Sequence, residues 1–83
     1  MTNALVVTEI TWNYDHWFVE EDYTFLNPKH VMFVRSRKKK VIIDAEEGPA
    51  YIWAYEVYLT HNTNGPICCI VNDRDAFFSA LTS

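Results

Sequence analysis

Glycine is almost missing from this chain, with two residues in 83. A glycine-rich loop that cradles phosphates needs more, so nucleotide-binding fingerprints of that kind are excluded. Proline is nearly as rare, at three residues. The strong breaks it marks are Asn27-Pro28, Gly48-Pro49 and Asn64-Gly65-Pro66. Cysteine occurs only as the adjacent pair Cys68 and Cys69. Neighbours on a strand face opposite ways, so a disulfide between them would be strained. Without a CxxC spacing they form neither a zinc site nor a redox motif. They read as small buried apolar residues of a strand, in keeping with a reducing compartment.

Long hydrophobic runs are also lacking. None approaches the roughly 20 residues that span a bilayer. The opening MTNALVVTEITW has neither the cationic start nor the long apolar stretch of a signal peptide. A cytoplasmic protein that does not contact membrane is therefore expected. Catalytic spacing is missing too: there is no GxSxG, and His16, His30 and His61 are spread along the chain. The sequence predicts no metal site, no cofactor and no enzymatic activity, and a domain this small has little room for an enclosed cleft.

Aromatic residues are plentiful, at 16% of the chain, and hydrophobic residues reach 49%. That composition excludes intrinsic disorder and supplies one core. Residues 1–83 are expected to form a single domain that buries only about 60% of its unfolded surface.

Residues 4–12 alternate as a strand, with Val6, Thr8, Ile10 and Trp12 on one face. Asn13, Tyr14 and Asp15 suit a turn, and 16–20 suit a returning strand. Residues 21–26 are ambiguous. Residues 31–36 and 41–44 read as two strands, with the basic stretch 37–40 as the tip and shoulders of a hairpin between them. Over 50–60 the apolar odd positions Tyr51, Trp53, Tyr55, Val57 and Leu59 favour a strand, although Pro49 and the acids before it would also suit a helix start. Residues 67–71 read as a short central strand. Asn72 or Asp73 then caps a helix whose apolar face is Ala76, Phe77, Ala80 and Leu81. The sum is an α+β fold: five or six mostly antiparallel strands, as a sheet or a half-open barrel, with one short C-terminal helix.

Positive charge is confined. Six of the seven basic residues are Lys29, Arg35, Arg37, Lys38, Lys39 and Lys40, and Arg74 is the only one elsewhere. The segment 29–40 thus carries +6 and everything else −10, giving the net −4. Segregation of this kind bears on partners rather than on fold. One reading makes Arg35, Arg37, Lys38, Lys39 and Lys40 a finger for phosphates or for an acidic partner. Its bland alternative is a solvated hairpin tip.

The acidic side offers the stronger lead. Between Thr11 and Phe25 stand six aromatic and four acidic residues. Strand alternation cannot bury every ring on one face, and Trp17 and Phe18 must serve opposite sides. Exposed rings beside carboxylates suit protein recognition, the rings carrying affinity and the acids steering a basic partner. Trp12, Tyr14, Asp15, Trp17, Phe18, Glu20, Glu21, Asp22 and Tyr23 are the candidate protein-binding residues. The expected function is a small acidic protein-binding module that occludes a basic, nucleic-acid-handling surface of a larger protein. Its composition is that of the small accessory or inhibitory proteins that phages and mobile elements encode. A nucleic-acid-binding module using residues 35–40 is the alternative. Homodimerisation through an aromatic edge strand is a third reading.

Overall fold

The computed structural model describes residues 5–61 and 64–82. Five strands and one helix make up the fold: β1 (Leu5–Asn13), β2 (His16–Leu26), β3 (Val31–Ile42), β4 (Pro49–Leu59), β5 (Ile67–Ile70) and α1 (Arg74–Thr82). A single 3-10 turn, Pro28–His30, leads into β3. The Asn27 side chain caps it by accepting from the Lys29 amide at 3.0 Å.

The sheet is mixed but largely antiparallel, and it closes into a ring in the order β1-β2-β3-β4-β5 and back to β1. Its parallel seam is short. The start of β2 meets the end of β3 through Trp17 opposite Val41 and Phe18 opposite Ile42. The expected antiparallel sheet with a C-terminal helix is thus found, with the ambiguous 21–26 absorbed into β2 and 50–60 forming β4. No helix among the described residues is long and apolar enough to cross a membrane.

The hairpin expected around 37–40 is not there. β3 runs unbroken through the basic residues, and Val41 and Ile42 supply its end rather than the start of a separate strand over 41–44. The chain turns later, at 44–48. There the Asp44 carbonyl accepts from the Glu47 and Gly48 amides, and its carboxylate accepts from the Glu46 amide. Gly48 takes φ +78°, which glycine reaches without the Cβ clash of other residues. So the residues that suggested a helix start before Pro49 make a turn. The cations can stay in a strand because ring faces receive their ammonium groups: Lys39 Nζ lies 4.5 Å from the Trp17 ring centre and Lys38 Nζ 5.5 Å from that of Trp53.

β4 and β5 show how the core is divided. Tyr55, Val57 and Cys69 belong to one buried cluster, while the adjacent Ala54 and Cys68 belong to the other. Since successive strand residues face opposite ways, the two clusters lie on opposite faces of the sheet. The first cluster adds Leu5, Val7 and Leu26 and is covered by Phe77 of α1, which is 4% exposed. The second is built on Ile10, Val41 and Ala54, with Trp17 and Val19 packed against them.

Helix α1 starts where expected. The Asp73 carboxylate accepts from the Ala76 amide at 3.0 Å, satisfying a first-turn donor, and Asp75 adds favourable negative charge there. Its packed face differs slightly from the expectation. Phe77, Phe78, Ala80 and Leu81 pack inward, whereas Ala76 is exposed. Phe78 turns in because Tyr55 offers it an edge-on ring contact at 5.5 Å.

Candidate interaction surfaces

The first surface is the β1–β2 hairpin. Its loop is only Tyr14 and Asp15, and Tyr14 has φ 56°, an uncommon conformation for a residue with a Cβ. The loop throws Tyr14 outward, leaving it 88% exposed, and Trp12 beside it is 53% exposed. Trp12 packs edge-on against Trp17 at 5.5 Å. Trp17 itself is half-buried among the second cluster and carries Lys39 on its ring, so it is a support for Trp12 rather than a free anchor. Phe18 lies on the other face, beside Ile42 at the seam. The opposite facing of Trp17 and Phe18 is as the alternation required.

The acids of β2 stand where pairing slips. Thr8 faces Tyr23 and Ile10 faces Val19, so Glu20, Glu21 and Asp22 bulge out opposite the single residue Glu9. The Glu20 carboxylate accepts from the Thr11 hydroxyl, and that of Glu9 accepts from Thr24 at 2.8 Å. Among the described residues Asp15, Glu21 and Asp22 pair with no cation, and both ion pairs use Glu56. Past the bulge, Tyr23 is exposed, as is the cross-strand pair Val6 and Phe25. The nine candidate residues therefore divide into a tip (Trp12, Tyr14 and Asp15, propped by Trp17), a bulge (Glu20, Glu21, Asp22 and Tyr23), and Phe18 on the far face. Val6 and Phe25 extend this surface although neither is among the nine candidates. Their signal was alternation, because Phe25 follows Tyr23 by two and shares its face.

The second surface belongs to β3 and β4, whose register places Lys38 opposite Trp53 and Lys40 opposite Tyr51. The five cations 35–40 do not act as one set. Lys38 and Lys40 share one face, while Arg35, Arg37 and Lys39 share the other. On that second face Glu56 takes up two of them, Arg37 at 3.3 Å and Lys39 at 3.3 Å. Arg35 lies over Phe33 and Tyr58, which are themselves stacked at 4.3 Å. The basic run, which has no acid within it in sequence, thus meets an acid of β4 and four aromatic rings in space: Trp17 of β2, Phe33 of β3, and Trp53 and Tyr58 of β4.

The histidines give less. His30 and His61 meet edge-on at 4.9 Å beside a shallow pocket lined by Phe25, Leu26, Asn27 and Leu59, with no carboxylate or thiol in its wall. Among the described residues no group of three or more His, Cys, Asp or Glu is placed to hold a metal ion.

Both cysteines are free thiols. Burial pushes the Cys69 thiol up to about 12, with Cys68 and Glu9 nearby adding to the rise. The unfolded chain would lose this proton at a lower pH than the folded one. Stability from this group is therefore present at neutral pH and is lost as pH climbs from the ordinary thiol range towards 12. We expect the urea midpoint to fall between pH 9 and pH 11, and to fall less in Cys69→Ala measured against its own neutral value. An identical alkaline slope in the variant would show that the thiol does not contribute.

Comparison with protein-family models, curated proteins and solved structures finds no match to the chain.

Proposed function

We propose that the chain is a non-enzymatic protein-binding module that docks through the β1–β2 hairpin onto a positively charged surface of a larger protein and occludes it. The observation that carries this reading is the combination at the hairpin. Trp12, Tyr14, Tyr23 and Phe25 are exposed beside Asp15, Glu21 and Asp22, and none of those three acids forms an ion pair among the described residues. An unpaired acid keeps its full field for steering, while a rigid ring gives contact area at low entropic cost. A strand pair held by the ring of the sheet presents both without reorganisation on binding. Basic surfaces are common on nucleic-acid-handling proteins, so occlusion would act by competing with the nucleic acid.

The test is affinity capture from native lysate with and without nuclease, followed by binding of the purified captured protein to two variants. Trp12→Ala/Tyr14→Ala is expected to weaken binding by at least about 30-fold, the level of central anchors. Glu21→Lys/Asp22→Lys is expected to slow association and flatten its salt dependence. If both variants bind like the parent protein, the hairpin is not the docking surface.

A further inference from the structure

Independently of the hairpin, we propose that the face of β3 and β4 carrying Lys38, Lys40, Tyr51 and Trp53 binds a short stretch of single-stranded nucleic acid. Register sets the arrangement: Lys38 lies opposite Trp53, and Lys40 lies opposite Tyr51. Two rings two residues apart on one strand stand about 7 Å apart. They alternate with two ammonium groups on the neighbouring strand. Such a surface offers stacking platforms for two successive unstacked bases and a cation for the phosphate beside each.

Both rings are available. Tyr51 is 71% exposed and Trp53 is 49% exposed. Among the described residues neither lysine of this face forms an ion pair, because Glu56 points to the other side with Arg37 and Lys39. Lys38 presently lies 5.5 Å from the Trp53 ring centre. An exposed ammonium–ring contact is worth less than a base–ring stack, so a base displaces it and the freed ammonium turns to phosphate.

The site is short. At one end the 44–48 turn carries Asp44, Glu46 and Glu47, which repel a polyanion. At the other end α1 covers Tyr55 and Val57 of the same face. That leaves room for about two stacked bases. Duplex is disfavoured, since its bases offer no free faces.

A titration of isotope-labelled protein with oligothymidylate of ten nucleotides, followed by amide NMR, reads a weak site directly. Shifts are expected at Lys38, Lys40, Tyr51 and Trp53. With two phosphates contacted, affinity should fall about sevenfold between 50 and 200 mM salt. Trp53→Ala should lose at least about fivefold in affinity, Trp53→Phe should retain most of it, and Lys38→Ser/Lys40→Ser should lose the salt dependence. Amide spectra of the free variants check that each keeps the fold. Overturning results are no shifts at 50 mM salt with either oligothymidylate or oligouridylate, shifts centred outside this face, or stronger binding of a polyglutamate peptide at the same residues. Because no hairpin residue is altered, failure here leaves the protein-binding reading standing.

Discussion

Phe77→Ala is expected to cost about 3–5 kcal/mol, the usual range for removing a buried phenylalanine. Phe77 is the side chain through which α1 covers one face of the sheet, with ring contacts to Tyr55 at 5.3 Å and to Phe78 at 5.4 Å. Beneath it lie Leu5, Val7, Val57 and Cys69. A nine-residue helix has little stability of its own in water, so losing its anchor loosens the whole cover. Native domains hold only about 5–15 kcal/mol in total, so at the low end of that range the loss would leave a substantial unfolded fraction at 37 °C. Urea unfolding reads it. Ala76→Ser, on the exposed side of the same helix, is the control and should move stability by less than about 0.5 kcal/mol. A Phe77→Ala loss below 1 kcal/mol would mean that the helix does not close this cluster.

The second large effect is expected at Glu56. Its carboxylate holds Lys39, whose side chain is 13% exposed, and its own side chain is 15% exposed. Glu56→Ala leaves the Lys39 ammonium in a low-dielectric site with only the Trp17 ring beside it. Removing one member of a buried pair costs about 3–5 kcal/mol when burial is complete, so about 2–4 kcal/mol is expected here. The Arg37 contact adds little, because that side chain is 57% exposed. Lys39→Met should cost less, since it keeps an apolar side chain beside Trp17 and removes the charge that needs compensation. The double variant Lys39→Met/Glu56→Gln should recover most of the Glu56→Ala loss. If Lys39→Met proves as damaging as Glu56→Ala, attraction within the pair outweighs its desolvation.

These two residues also mark what the sequence could disclose. The strands over 4–12 and 50–60 were legible because half-buried strands alternate with period two, and the helix because Asp73 caps a run with apolar residues three and four apart. The basic stretch misled. Lysine and arginine run together resemble a solvated turn, and nothing local shows that Trp17, Trp53, Phe33 and Tyr58 will supply rings for their cationic groups. Glu56 lies 17 residues from Lys39, so their pairing depends on the β3–β4 register, which no local pattern states. The parallel seam at Trp17 and Val41 is likewise a product of ring closure. Of the candidate residues, Trp12 and Tyr14 are exposed. The supporting role of Trp17 was not legible, because a tryptophan beside acids reads the same whether it faces in or out.

The seam has one more consequence. Among the described residues β3 meets β2 only at Val41 and Ile42, so along Arg35, Arg37, Lys38, Lys39 and Lys40 the backbone has a neighbour on the β4 side alone. An open strand flank of this kind invites other chains to lengthen the sheet, the first step towards insoluble assemblies. A copy pairing antiparallel in a register centred on this run would set cation opposite cation, and like charges opposite each other across a ladder repel. We expect the basic run to oppose growth of this aromatic-rich sheet by addition of its own kind, an opposition that concentrated salt would weaken.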